Sequence, residues 1–255
     1  MKAIILGAGQ GRRLLPLTET RPKCLIELAQ VPVLEWQLRG LAEAGVEEAV
    51  VVTGFGAEQI EALLAGLRLP GLAVRTLYNP FYAVADNLAS CWIARPEMQD
   101  EFLILNGDTL FEPAVAARLL EPVSAPITVT IDRKPAYDAD DMKVQLDGDR
   151  LLAIGKTLSA ELVGGESIGF LRFTADGGRH FRGEVERLMR APPGLKLWYL
   201  SVIDRLAGRG IPVGVRSIEG LDWGEIDFPV DVKRAERLVQ GWLAPRGPAV
   251  LAGAG

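Results

Sequence analysis

Cysteine, positive charge and long apolar runs are all scarce in this sequence. Its two cysteines, Cys24 and Cys91, are too few to staple a chain of 255 residues, so a reducing compartment is the expectation. Lysine and arginine number 28 against 33 aspartates and glutamates, a net charge of −5. That balance gives no electrostatic reason to expect nucleic acid or an anionic membrane as partner, and any polyanion site must be built locally. The apolar run Ala3-Ile4-Ile5-Leu6 stops at Gly7, which is too short for a signal peptide. No stretch approaches the length needed to span a bilayer. No internal repeat is present. What the chain does have is 49% hydrophobic and 24% charged residues, enough to bury a substantial core in one large α/β domain or two small ones. A cytoplasmic globular protein is expected; a secreted scaffold, a membrane protein and a disordered chain are excluded.

The first half alternates between strand and helix patterns. Buried strands are expected at residues 3–6, 49–53, 72–78 and 102–105, and helices at 33–44, 57–65 and 87–94. Apolar strands without polar alternation point to a mostly parallel, Rossmann-like sheet with helices on both faces. The second half differs: strands at 127–131, 142–146, 151–154 and 167–173 follow one another closely, with a hairpin turn at Asp147-Gly148-Asp149. Helical spacing returns at 184–189, 197–207 and 229–240, and a further strand is expected at 212–218. The expected organisation is one domain over 1–243, with a nucleotide-binding half to about residue 120 and a smaller, more antiparallel acceptor half after it. Residues 244–255 are rich in Pro, Gly and Ala and read as a frayed tail.

Directly after the first strand stands Gly7-Ala8-Gly9-Gln10-Gly11-Arg12-Arg13. Glycines there let backbone N–H groups approach an anion closely. The dinucleotide fingerprint fails, since Arg12 stands where its third glycine belongs and Pro16, Pro22 and Pro32 delay any helix. The P-loop pattern fails too, lacking Gly-Lys-Ser/Thr. A loop this long is usually functional, and this one gathers Arg12, Arg13, Arg21 and Lys23 in an acidic protein. Lys23, restricted by Pro22 and followed by apolar Cys24-Leu25-Ile26, is a candidate phosphate clamp.

The run Leu6 to Thr18, with Arg13-Leu14-Leu15-Pro16-Leu17-Thr18 closing it, and then Arg21-Pro22-Lys23-Cys24-Leu25, resembles the sugar-nucleotide pyrophosphorylase or nucleotidyltransferase family. Gly7 replaces the usual alanine. Similarity continues through Asn106-Gly107-Asp108 and Trp223-Gly224-Glu225-Ile226-Asp227. The resemblance implies transfer of a nucleotidyl group from a nucleoside triphosphate to a phosphorylated acceptor, with release of pyrophosphate. It implies nucleotide binding by Leu6, Gly7, Ala8, Gly9, Gln10, Gly11, Arg12, Asp86, Asn87 and Gly107, with catalytic Arg13 and Lys23 neutralising the transferring phosphate. It implies Mg²⁺ held by Asp108 and Asp227. The acceptor is already an anion, so no general base is required, and the solitary His180 reads as a surface residue.

The stretch Tyr82 to Trp92, containing Asp86-Asn87 and Ser90, is more similar to cytidylyltransferases acting on phosphocholine, inositol phosphate or aminoethylphosphonate than to sugar enzymes. Asp141-Met142-Lys143-Val144 and Ile154-Gly155-Lys156 strengthen that similarity. It implies CTP as donor and acceptor contacts from Lys143, Lys156, Glu166, Trp198 and Trp223. For the head group, Trp92, Trp198, Tyr199 and Trp223 could cage a quaternary ammonium, while Asp138, Asp140, Asp141 and Asp222 could hold a primary one. A polyol remains open. The alternatives are a sugar-1-phosphate nucleotidyltransferase using UTP, GTP or dTTP, and a nucleotide-binding module without catalysis.

Overall fold

A computed structural model describes residues 1–244, so the expected tail lies, apart from Ala244, outside the described residues. Strand β1 (Lys2–Leu6) runs into a long loop that contains the small hairpin β2 (Glu27–Leu28) and β3 (Val31–Pro32). Then come α1 (Val33–Glu43), β4 (Glu48–Thr53), α2 (Ala57–Gly66), β5 (Ala73–Tyr78), α3 (Asn87–Ile93) and β6 (Phe102–Asn106). The middle comprises β7 (Thr109–Phe111), α4 (Pro113–Leu120), β8 (Ile127–Asp132), β9 (Lys143–Asp147), β10 (Arg150–Gly155) and β11 (Gly165–Phe173). The chain continues through α5 (Ala175–Met189), α6 (Leu200–Gly208), β12 (Val213–Ser217), β13 (Trp223–Glu225) and α7 (Pro229–Leu243). No helix among the described residues is long and apolar enough to cross a membrane.

Nine strands form one sheet in the order β5-β4-β1-β6-β11-β8-β12-β10-β9. The first four are parallel. Beyond them β11 runs antiparallel to β6 and β8, β12 parallel to β8, and β10 antiparallel to β12 and β9. The sheet is therefore mixed: the parallel expectation describes its first half, and the ladder between β6 and β11 joins that half to the antiparallel one.

Strand alternation sets up the two faces. Ile4, Leu6 and Ile104 join one apolar cluster that includes residues of α3, α5 and α6, whereas Ala3, Ile5, Leu103 and Leu105 join another that includes residues of α1 and α4. A third cluster matters more for function. Leu14 and Ile26 of the long loop pack with Leu110, Ile226 and residues Ala235 and Val239 of α7. The loop that carries Arg13 and Lys23 is thereby fastened to the segment that carries Asp227.

Some elements depart from the sequence expectation. Helix α5 starts at Ala175 rather than near 184, because Gly177, Gly178 and Gly183 blunt its helical spacing while the Thr174 hydroxyl caps it by accepting from the Gly177 N–H. The short β7, α4 and β13 give too little periodicity to be read. Yet β7 and β13 pair with each other, Thr109 opposite Glu225, and so set the carboxylates that flank them side by side.

Strand order reverses between β1 and β6, since β1 pairs with β4 on one side and β6 on the other. Such switch points open a crevice at the carboxyl ends of the strands. Here the loops leaving the two strands touch: the Gly107 N–H donates to the Leu6 carbonyl at 3.2 Å. A Cβ on Gly107 would stand 2.7 Å from that carbonyl oxygen, which is backbone and cannot turn aside. Gly107→Ala is expected to cost about 1–3 kcal/mol by forcing the strand ends apart. Denaturant unfolding with an unchanged midpoint would contradict this.

Candidate active site

A cavity of about 390 Å³ opens at this switch point. Its walls include Leu6, Ala8, Gly9, Gly11, Asp86, Asn87 and Gly107 from the first half of the chain. Arg13, Lys23, Asp108, Lys156, Trp198 and Asp227 complete the group of sequence-derived candidates that meet there. These positions are spread over most of the chain, and only the sheet topology brings them together.

The glycine loop is braced rather than loose. The Thr18 hydroxyl donates to the Gly11 carbonyl at 2.8 Å, and Gln10 Nε2 donates to the Thr18 carbonyl. Gly11 is required twice over: its φ is +75°, and a Cβ would stand 2.9 Å from the Lys23 stem. Lys23 lies across it, with its ammonium donating to Asp108 Oδ2 at 2.5 Å and to Asp227 Oδ1. Burial by itself would lower the Lys23 pKa; the Asp108 and Asp227 carboxylates outweigh that and hold it above the ordinary lysine value. Lys23 is a fixed cation at every physiological pH.

The pairing continues outward. Arg13 donates to Asp227 Oδ2 at 2.7 Å and to Asp140 Oδ2 at 3.3 Å, with its guanidinium 5.0 Å from the Phe228 ring centre. Asp140 Oδ1 accepts from Lys156 Nζ at 3.1 Å, and that ammonium sits 4.8 Å from the centre of the Trp198 ring. Asp108, Lys23, Asp227, Arg13, Asp140 and Lys156 therefore form a string of alternating charge along the cavity wall. Its formal sum is zero.

Two local devices hold the carboxylates. The Ile226 N–H donates to the Asp108 carbonyl at 3.1 Å, locking the two aspartate-bearing segments together. Asp231 accepts from the Asp227 and Phe228 N–H groups at the start of α7 and orients that end. Asp108 Oδ1 is buried and has no hydrogen-bond partner. A solvent-stripped carboxylate oxygen on a residue that lines the cavity suits a hard divalent cation, whose oxygen ligands it can supply. Among the described residues no group of three or more His, Cys, Asp or Glu side chains is arranged to hold a metal ion alone. The donor set fits Mg²⁺, which commonly takes one or two carboxylates and leaves its other positions to phosphate oxygens and water.

Not every candidate arrives. Gln10 and Arg12 line an adjoining shallow pocket with Tyr82 and Asp86, and Gly7 donates to the Val52 carbonyl behind the loop. Lys143 is buried, its ammonium tied to the carbonyls of Asp138, Asp141 and Lys156, so it braces the segments that carry Asp140 and Lys156. Glu166 pairs with Lys134 at 2.9 Å and does not line the cavity, although Ser167 beside it does. Trp223 donates to Asp132 at 2.8 Å and packs in the core on the α1–α4 face. Trp92 is also spent, since Arg95 covers its ring at 4.2 Å. His180 stands on α5 beside Asp176, away from the cavity. Both cysteines are free and buried, and burial pushes the Cys24 thiol up to about 12.

The structure adds Asn79, Asn106 and Glu225 to the cavity wall. Asn106 carries a readable signal, being the first residue of Asn-Gly-Asp. Asn79 and Glu225 carry none that distinguishes them from an ordinary turn residue and an ordinary edge carboxylate.

Burial pushes the Glu166 carboxyl up to about 7; Lys134 opposes that shift and Asp141 adds to it. Between about pH 4.5 and 7 the folded chain thus keeps a proton that the unfolded chain releases, so this group makes stability fall as pH rises through that window. Glu166→Gln removes the titration, and the expected result is a shallower decline in unfolding free energy from pH 5 to 7.5. Parallel profiles for the two proteins would contradict it.

Residues 3–143 match the family described as MobA-like NTP transferase domain. The chain is 32% identical over 250 residues to the CMP-5'-(3-aminopropyl)phosphonate synthase of Streptomyces rubellomurinus, covering 92% of this chain and 38% of that protein. It is 30% identical over 246 residues to a bifunctional IPC transferase and DIPP synthase of Rubrobacter xylanophilus, covering 95% of this chain and 52% of the other. The chain thus spans about half or less of the length of these relatives. A solved CTP:phosphocholine cytidylyltransferase from Streptococcus pneumoniae superposes with a TM-score of 0.76 at 22% identity, covering 93% of this chain and 98% of that one, and so shares the fold. The matched span begins in β1 and takes in the glycine loop, Lys23 and Asp108, and the chain belongs to the family of MobA-like NTP transferase domains.

Proposed function

We propose that this chain is a Mg²⁺-dependent cytidylyltransferase that moves CMP from CTP to a small phosphoalcohol or phosphonate and releases pyrophosphate. Residues 1–243 would act as one catalytic unit, with the nucleotide held by the half up to about residue 120 and the acceptor by the remainder. The observation that carries the reading is Lys23 clasped between Asp108 and Asp227 at the strand switch point, beside an orphaned Asp108 oxygen. The names of the two relatives that align with nearly all of this chain support the donor and acceptor class, and the CTP:phosphocholine enzyme supports the fold for it.

The chemistry follows from charge. Two unit charges 4 Å apart interact by about 1 kcal/mol in water and about 4 kcal/mol at an effective dielectric near 20. An anionic acceptor approaching a triphosphate faces several such repulsions together. Lys23 and Arg13 would offset part of them at the transferring phosphate, and the N–H groups of the glycine loop would hold the phosphates in place. Asp108 and Asp227 would hold Mg²⁺, which when bound would supply stabilisation of the charge developing on the phosphates. An oxygen of the acceptor's phosphoryl group attacks the α-phosphorus in line; the bond to the bridging oxygen breaks, and its electron pair leaves with pyrophosphate. The attacking oxygen carries no proton to be removed, which agrees with a cavity wall without histidine.

Pyrophosphate release should appear with CTP, Mg²⁺ and a small acceptor. UTP, GTP, ATP and dTTP should be markedly poorer donors. Lys23→Met and Asp108→Asn should each lower kcat by at least about 10²-fold, with the folded state verified by circular dichroism. Turnover confined to hexose 1-phosphates with UTP or dTTP would reassign the chain to sugar activation.

A further inference from the structure

The outer end of the charge string has the form of an occupied site. Lys156 Nζ lies 3.1 Å from Asp140 Oδ1 and 4.8 Å from the centre of the Trp198 ring, so a cation already fills a corner made of one carboxylate and one aromatic face. On its other side the Asp140 carboxylate faces Arg13 at 3.3 Å, so an anion already sits between two cations. All four residues line the cavity, and Asp140 and Trp198 are open to it, with the Asp140 side chain 52% and Trp198 43% exposed. Every polar requirement here is met by the chain's own groups.

Building on the cytidylyltransferase reading, we propose that the acceptor is a zwitterion, an aminoalkyl or ammonioalkyl phosphate or phosphonate, and that it binds by exchanging ion-pair partners. Its phosphoryl group takes the place of the Asp140 carboxylate between Arg13 and Lys156. Its ammonium takes the place of the Lys156 ammonium against Asp140 and the Trp198 face. The exchange gives every ion a partner of opposite sign: the phosphoryl group meets two cations and the ammonium meets a carboxylate. A polyol phosphate, whose head group is uncharged, does half of this: it takes the two cations and leaves the Asp140 carboxylate without a counter-ion, beside both the new phosphoryl group and the electron-rich face of Trp198. Of the other aromatic candidates, Trp92 is covered by Arg95, Trp223 lies outside the cavity wall, and Tyr199 reaches the wall but is fully buried.

A matched acceptor pair tests this with the whole chain, CTP and Mg²⁺: 2-aminoethylphosphonate against 2-hydroxyethylphosphonate, with phosphocholine as a quaternary probe. The ammonium acceptors should show kcat/KM at least tenfold above the hydroxyl acceptor, mainly through KM. In Asp140→Asn the ratio should collapse toward one, with KM rising for 2-aminoethylphosphonate and falling for 2-hydroxyethylphosphonate. Asp140→Glu should restore part of the preference. Equal or better use of the hydroxyl acceptor by the unaltered protein, or an unchanged ratio in Asp140→Asn, overturns the proposal and leaves the cytidylyltransferase reading standing. Silence with CTP and every acceptor overturns both.

Discussion

The site depends on one contact: the Lys23 ammonium held between the carboxylates of Asp108 and Asp227. Each partner belongs to a different part of the chain, one on the long loop after β1, one at the end of β6 and one at the entrance to α7. Two aspartates facing each other without Lys23 would repel, and a lysine mostly removed from solvent without them would hold its proton less tightly. The three segments therefore stabilise one another's charge states, and the third apolar cluster, with Leu14 and Ile26 against Ile226 and α7, supplies the packing that keeps them together.

From that clasp the rest of the wall follows by alternation. Asp227 has a second oxygen, which takes Arg13; Arg13 reaches Asp140; Asp140 takes Lys156. In a protein with net charge −5 the six side chains of this string sum to zero among themselves. Lys23, Arg13 and Lys156 are held in place by these carboxylates and each is already paired, so on the proposed function substrate would bind by substitution rather than by filling an empty positive pocket. Neutral strings of this kind discriminate by what replaces each ion, and that confers selectivity beyond raw attraction for anions.

Much of this was legible in the residues. Continuous apolar strands at 3–6, 49–53 and 102–105 announced a sheet buried on both faces, and the Asp147-Gly148-Asp149 turn announced the β9–β10 hairpin. The glycine loop, Lys23, Asp108 and Asp227 stood out because each interrupts a pattern, a glycine run, a proline restriction or a strand end. The pairing of β7 with β13 was hidden, because three-residue strands have too short a period to read. So was the continuity of the sheet through both halves, which depends on the long-range ladder between β6 and β11. Lys143, Glu166 and Trp223 looked like acceptor contacts from resemblance alone; their burial and partners are decided by side-chain direction, which a sequence motif does not carry. Asp140 was one carboxylate among several until its distances to Arg13 and Lys156 set it apart from Asp141, which pairs with Lys134.

A structure of the chain crystallised with CTP and Mg²⁺ tests the central claim most directly. The account predicts the triphosphate over the glycine loop, the metal on Asp108 Oδ1 and Asp227, and the Lys23 ammonium moved from the aspartates onto a phosphate oxygen. A triphosphate bound elsewhere, with Lys23 still clasped between Asp108 and Asp227 and no metal on either, would contradict it.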